Sequence, residues 1–278
     1  MSFLEQVSVL ILTYNEAPNI WRTLDALYSF SDVIVLDSGS NDGTIEILGR
    51  YPKVRYRSRT FDTHGAQWSY GLTSCDIDRP WILALDADYI MSSALVDEIA
   101  LLSPGTSISG YRVAFRYCVF GRPLSAALYP PVVALYRREQ AHYLQTGHTQ
   151  RVVVDGTISS LQGIIDHDDR KPLLHWFASQ QKYAKLEADH LLTSPRASLR
   201  RIDKARLMAW PAPILVFFYT LFAKGCILDG WPGWLYVLQR TLAETMIGIE
   251  IVDRRLRGSS TESAQDATTQ PAAYRNRR

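Results

Sequence analysis

Trp81-Ile82-Leu83-Ala84-Leu85-Asp86-Ala87-Asp88 decides how the chain folds: five apolar residues without a break, then two carboxylates one residue apart. An apolar run of this length is read as a strand buried on both faces, in a sheet covered by helices. The carboxylates then leave the sheet at the strand's carboxyl end. Oxygen ligands in that place suit Mg²⁺ or Mn²⁺, which takes one or two carboxylates from protein and completes its octahedron with phosphate and water. A cation so held neutralises the charge that builds on a departing diphosphate. Asp-x-Asp is also ordinary turn chemistry, with Asp favoured in turns and at helix N-caps. The surrounding chain has to choose between the two.

Upstream, short β-branched runs alternate with helical periodicity, which predicts strand-helix-strand units and a mostly parallel sheet. Val7 to Leu12 reads as a first strand, followed at Pro18 by a helix with Ile20, Trp21, Leu24, Leu27 and Tyr28 on one face. Val33 to Leu36 reads as a second strand, Thr44 to Leu48 as a helix, Val54 to Tyr56 as a short strand and Gln67 to Leu72 as a helix. Downstream, Ser93 to Leu102 reads as a helix with a serine cap. Scattered strands follow at Tyr111 to Tyr117, Val132 to Tyr136 and Arg151 to Val154. From Asp166-His167-Asp168-Asp169-Arg170-Lys171-Pro172 onward the pattern is helical to Arg257. The expected division is 1–170 as a sheet domain (halves 1–102 and 103–170), 171–257 as a helical appendage and 258–278 as a disordered tail rich in Ser, Thr, Ala, Gln and Arg.

Composition narrows the function. A chain of 278 residues with 47% hydrophobic content can build a large core, and a net charge of +2 gives nucleic-acid binding no support. Three separated cysteines, Cys75, Cys118 and Cys226, suggest neither a disulfide framework nor a zinc site and fit a reducing cytoplasm. Glu5 comes early and the first apolar run ends at Leu12, so no export signal is expected.

In open α/β sheets, ligands bind at the carboxyl ends of the strands. Three such ends carry polar clusters here: Thr13-Tyr14-Asn15-Glu16, Asp37-Ser38-Gly39-Ser40-Asn41-Asp42-Gly43 and Asp86-Ala87-Asp88. Asp37 could accept from a base or ribose, and the Thr13 to Glu16 turn could face the same nucleotide. The competing reading of Ser38 to Asp42 is a turn with Asp42 capping the next helix.

These residues carry a resemblance. V-S-V-L-I-L-T-Y-N-E, V-I-V-L-D-S-G-S-N-D-G-T, H-G-A-Q-W-S-Y-G-L and W-I-L-A-L-D-A-D, in this order, resemble the nucleotide-diphosphosugar-binding half of family 2 glycosyltransferases. Within the family they are most similar to the β-glucosyltransferase-like group that builds lipopolysaccharide core and exopolysaccharide. The similarity continues more faintly through Tyr129-Pro130 to Arg137, Arg151 to Gly156, and Leu228-Asp229-Gly230 with Gly233. The resemblance implies an A-type fold, a nucleotide-diphosphate sugar donor, a divalent cation and inversion at the anomeric carbon. It puts Thr13, Asn15 and Glu16 along the nucleotide, Asp37 at the base or ribose, Asp86 at ribose or donor sugar, Asp88 on the metal and Gln67 beside the donor. Trp68 reads instead as a buried core indole.

Inversion needs a general base for the acceptor hydroxyl. Similar proteins often carry His-Glu before an Arg-Val-x-Val-Asp-Gly run, whereas this chain has Thr149-Gln150 before Arg151-Val152-Val153-Val154-Asp155-Gly156. Gln150 cannot serve as a base. His148 is the nearest titratable group, and its ordinary pKa of roughly 6.5 suits the task. The cluster Asp166-His167-Asp168-Asp169, with Asp168 in it, is the second candidate for the base or for orienting the acceptor; its competing reading, preferred for Asp169, is a charged loop capping the following helix.

Leu207 to Ala223 carries no charge but is broken by Pro211 and Pro213 and falls short of the roughly 20 residues of a spanning helix. Arg196, Arg200, Arg201, Lys204 and Arg206 precede it, and Trp231, Trp234 and Tyr236 follow, which reads as a surface lying on an anionic leaflet. The expected protein is a non-processive transferase at the inner face of the cytoplasmic membrane, with a glycolipid or lipid-linked saccharide as acceptor. A polyprenyl-phosphate sugar synthase and a catalytically inactive nucleotide-sugar-binding relative are the alternatives.

Overall fold

The computed structural model describes residues 2–126, 130–146 and 149–269. It forms two compact units, Met1–Trp176 with Thr220–Tyr236, and Phe177–Tyr219 with Val237–Arg278.

The first unit opens with β1 (Val7–Thr13), α1 (Ile20–Ala26), β2 (Val33–Asp37), α2 (Thr44–Leu48), β3 (Val54–Ser58), α3 (His64–Ser74) and β4 (Trp81–Asp86). It continues with β5 (Tyr89–Met91), α4 (Ser93–Ala100), β6 (Ile108–Val119), β7 (Arg122–Pro123), β8 (Val132–Arg137), β9 (Ala141–Thr146), β10 (Thr149–Val154) and β11 (Thr157–His167). The main sheet has the order β3-β2-β1-β4-β8-β6-β11-β5, with β7 on β6, while β9 and β10 pair separately. β1 to β4 are mutually parallel, β8 is antiparallel to both β4 and β6, and β11 is parallel to β6. β1, β2, β3, β4, β6 and β11 therefore all point the same way, and their carboxyl ends share one edge.

The alternation of a strand explains the two-sided core. Val7, Val9 and Ile11 of β1 join Val33, Val35, Leu83 and Leu85 against Ile20 and Leu24 of α1. Leu10, Ile34, Leu36 and Ile82 face the other way, against Trp68 and Leu72 of α3. The helices start where their sequences supply caps: Thr63 Oγ1 accepts from Ala66 N–H and Ser92 Oγ from Leu95 N–H.

β11 is absent from the sequence expectation, and it is the longest departure from it. Its register against β6 shifts between Ser160 and Ile164. The carboxylate of Glu98 on α4 caps this irregularity by accepting from the N–H groups of Gln162 and Gly163. A Cβ on Gly163 would lie 2.5 Å from Leu95 Cα, so only glycine lets α4 and β11 approach this closely. Residues 220–236 belong to the same unit: Asp229 accepts from Ser125 N–H and Oγ at 2.9 and 2.6 Å, and the Tyr236 ring lies 5.4 Å from that of Tyr117.

The second unit contains most of α5 (Leu173–Thr193), with α6 (Arg201–Leu207), α7 (Pro211–Phe218) and much of α8 (Gly230–Thr269). Its small core joins Ala188, Leu191, Leu199 and Ile251. Arg206 ties three of its helices together, reaching Glu244 at 2.8 and 2.6 Å and Glu187 at 3.2 Å. Among the described residues no single helix is long and apolar enough to cross a membrane.

Candidate active site

The loops after β1 and β2 are laced together. Asn15 adopts φ +54°, a left-handed conformation that asparagine tolerates better than most residues. Its N–H donates to Ser40 Oγ at 2.8 Å, and its Oδ1 accepts from Asn41 N–H at 2.9 Å. Glu16 N–H donates to Thr44 Oγ1 and Ala17 N–H to Asp42 Oδ2, so Asp42 joins two loops as well as opening α2. Asp37 is buried, and both its oxygens are engaged. Oδ1 accepts from Thr13 Oγ1 and Ser40 Oγ, and Oδ2 from the N–H groups of Gly39 and Ser40 at 2.8 Å.

Gln67 is buried at the same edge, where its Nε2 donates to Ser38 Oγ at 3.0 Å and its Oε1 accepts from Arg59. Arg59 also pairs with Asp62. Trp68 is in the core, stacked on Tyr143 with ring centroids 5.4 Å apart.

Across β1 lie Asp86 and Asp88. Burial, and then the neighbouring Asp88, push the Asp86 carboxyl up to about 6, and a hydrogen bond from Tyr89 only partly opposes them. Asp88 Oδ2 is 2.9 Å from His167 Nε2. Burial works against charge on both partners, yet their mutual attraction prevails: Asp88 is held below the usual carboxylate range and His167 is pushed up to about 9. His167 reaches Asp88 because β11 and β5 pair in register, His167 opposite Tyr89.

The residues after β11 close the site from below. Lys171 Nζ donates to Glu16 Oε1 and Asn19 Nδ2 donates to Glu16 Oε2 at 2.8 Å. Burial nevertheless pushes the Glu16 carboxyl up to about 7, with Lys171 opposing and Asp88 reinforcing the rise. Asp168, 1% exposed, takes Arg22 Nη1 at 2.7 Å and Arg170 Nε and Nη2 at 3.0 and 2.8 Å, all on Oδ2. Both guanidiniums are gathered on Oδ2, while Oδ1 is buried without a hydrogen-bond partner among the described residues. Asp168, expected from the sequence as a second candidate for the base or for orienting the acceptor, thus sits between two arginines. Asp169 Oδ1 accepts from Asn19 Nδ2 and from Lys171 N–H, which holds the turn into α5. His148 lies outside the described residues.

The structure therefore brings Thr13, Asn15, Glu16, Asp37 and Gln67 to one stretch of the sheet edge, with Asp86 and Asp88 beyond β1. It adds Asn19, Arg22 and Lys171, which motif reading did not single out. Arg22 sits in, and Asn19 just before, a helix read for its apolar face. Lys171 lies one residue before a proline in a charged run. The alternation Leu161, Gly163, Ile165 was the available sign that a strand leads into that run.

The family model for glycosyl transferase family 2 matches residues 8–103. The lipopolysaccharide core biosynthesis glycosyltransferase LpsC of Rhizobium meliloti (strain 1021) is 25% identical over 262 residues, covering 89% of this chain and 92% of that protein. The uncharacterized glycosyltransferase RP128 of Rickettsia prowazekii (strain Madrid E) is 33% identical over 250 residues, covering 84% of this chain and 82% of that protein. Among solved structures, S. aureus TarS 1–349 in complex with UDP-GlcNAc is 16% identical, with 91% of this chain and 92% of that chain covered and a TM-score of 0.40. That likeness is too distant to bear on the site.

Proposed function

The chain belongs to glycosyltransferase family 2, and from that premise we propose that it moves one sugar, with inversion, from a nucleotide-diphosphate sugar to a glycolipid or lipid-linked saccharide in envelope polysaccharide assembly. The observation that carries this reading is the order of groups along the sheet edge: the Asp37 loop on β2, the Glu16 turn on β1, then Asp86 and Asp88 after β4. A nucleoside at the first, a diphosphate near the second and third, and a sugar beyond would fit that order. The lipopolysaccharide core role in the name of the R. meliloti relative favours a lipid-linked acceptor.

Asp88 and Asp86 would hold Mg²⁺ or Mn²⁺. Their chemistry fits: both are hard oxygen donors, and Asp86 is a half-buried carboxyl whose charge is opposed by Asp88 and only partly compensated. When bound, the cation supplies charge neutralisation to the departing diphosphate. This chain's own residues do the rest. The interlocked β1 and β2 loops fix the nucleotide end, His167 orients Asp88, and the Arg22–Asp168–Arg170 group keeps the β11 terminus in place. His148 is the proposed base that takes the acceptor proton.

A screen of nucleotide sugars for binding and turnover, with and without Mn²⁺, tests the donor reading. Binding of none of them would sink it. His148→Ala with near-normal transfer would remove the base assignment.

Contact with an anionic leaflet from the cytoplasmic side belongs to the same proposal. α7 has no polar side chain and buries only Ala212, leaving Ile214, Leu215 and Phe218 about half exposed beside Trp210. Arg196, Arg200, Arg201 and Lys204 are exposed nearby in sequence. Flotation with anionic but not neutral liposomes is the expected result, and no flotation with either would refute it.

A further inference from the structure

Most cations near the site are already paired. Arg22 and Arg170 enclose Asp168, Arg116 makes a two-point pair with Asp166, and Arg59 holds Asp62 and Gln67. His167 faces Asp88. Lys171 differs in what it faces and in how it is held.

Its ammonium is matched to Glu16 in a pair whose side chains are 15% and 12% exposed, and its next carboxylate neighbours are Asp169 and Asp88. An ammonium has three donors, and Glu16 Oε1 accounts for one. The backbone beneath it is fixed: Arg170 N–H donates to Asn19 Oδ1, Lys171 N–H donates to Asp169 Oδ1, and Pro172 follows, restricting the residue before it. Its partner Glu16 belongs to the β1 turn, between the Asp37 loop and the Asp86–Asp88 pair. β2 and β4 flank β1, so these two clusters are two strand spacings apart, roughly 9–10 Å. Lys171 meets Glu16 at the turn between those two clusters.

We propose that Lys171 is a ligand of the donor's diphosphate, held in place by Glu16 before the nucleotide enters and shared with the phosphate oxygens afterwards. The inference rests on the nucleotide-diphosphate donor proposed above. A diphosphate offers several acceptors and two or more negative charges where Glu16 offers one, so its arrival competes for the same ammonium. The contact reads the diphosphate and not the nucleoside. It also adds a fixed positive charge on the leaving group as the glycosidic bond breaks.

The test is calorimetric binding to the full chain in Mn²⁺ buffer, with UDP, GDP, ADP and dTDP and with the matching monophosphates. The wild-type protein should bind one diphosphate more tightly than its monophosphate. Lys171→Met should weaken that diphosphate by about 10- to 100-fold while leaving the monophosphate within about twofold, as expected for a lost charge-assisted hydrogen bond. Lys171→Arg should recover part of the difference. Equal losses for diphosphate and monophosphate would mean a structural role and would overturn the proposal, as would no loss for either. If Lys171→Met does not fold, Lys171→Arg alone decides: its diphosphate-to-monophosphate ratio should change at unaltered melting temperature, and an unchanged ratio refutes the contact. A wild-type protein that binds no nucleoside diphosphate would instead bring down the donor reading and this inference with it.

Discussion

Asp37 and Asp86 end the two strands on either side of β1, Asp37 opposite Thr13 and Asp86 opposite Leu12, yet their surroundings are opposites. Asp37 receives four hydrogen bonds from its own loop and from Thr13. Asp86 has Tyr89 and, next to it, another carboxylate. The first is a finished structural element, a carboxylate that builds its own loop by satisfying it. The second is a group whose charge the folded chain leaves partly uncompensated, which is what the proposed cation role calls for. The same residue type at the same kind of position thus serves opposite ends, decided by donors within reach.

The sharpest way to break the contrast is Asp88→Asn, which keeps shape and removes charge. Transfer should fall by about 100- to 1000-fold with circular dichroism unchanged. A loss below tenfold would contradict the cation role of that side of the edge. Gly163→Ala attacks the delivery of His167 and Lys171 to Asp88 and Glu16. Its new Cβ meets the Leu95 backbone, so unfolding in urea should show about 1–3 kcal/mol of lost stability, together with reduced transfer.

Asp37→Asn should cost about 1–3 kcal/mol, because the amide of a buried side chain cannot accept all four donors and two of these are backbone N–H groups. Asp86→Asn should have the opposite sign. Burial and Asp88 raise the folded-state Asp86 carboxyl to about 6, above its unfolded value of about 3.9. The folded state therefore holds the proton more tightly, and stability is lost as pH rises through that window. Above it the ionised group is a net cost. In EDTA at pH 8 the Asn variant should melt above wild type, at most a few degrees for a chain of this length. Mn²⁺ should raise the melting temperature of wild type and leave Asp86→Asn nearly unmoved. A lower melting temperature for Asp86→Asn in EDTA would put the two aspartates in one class.

Much of the candidate site's edge was legible because strands that carry polar clusters at their own ends announce themselves locally. Val33 to Leu36 and Trp81 to Leu85 are continuous apolar runs, Val7 to Leu12 is broken only by Ser8, and each is followed at once by its polar cluster. β11 gives no such signal. It is interrupted by a bulge, half its residues are exposed or polar, and Glu98, sixty-five positions before Gly163, supplies the capping that its own sequence lacks. The surroundings of Asp168 were illegible for a related reason. Its partner Arg22 lies 146 residues away, so the charged run read in isolation gives no sign of the guanidinium that reaches it from another element.

By itself the sequence determined which strands build the sheet, which turns they end in and that Asp86 and Asp88 share one of those ends, because hydrophobic periodicity and strand-end chemistry act over neighbouring residues. Only the tertiary structure decided which carboxylates are fully hydrogen-bonded and which are left partly uncompensated. Hydrogen bonds and Coulomb interactions depend on distance in space. The groups that settle the matter, Lys171 at Glu16 and His167 at Asp88, arrive 155 and 79 residues later, just past and at the end of a strand whose direction matches that of β4 only through the pairing of β8, β6 and β11.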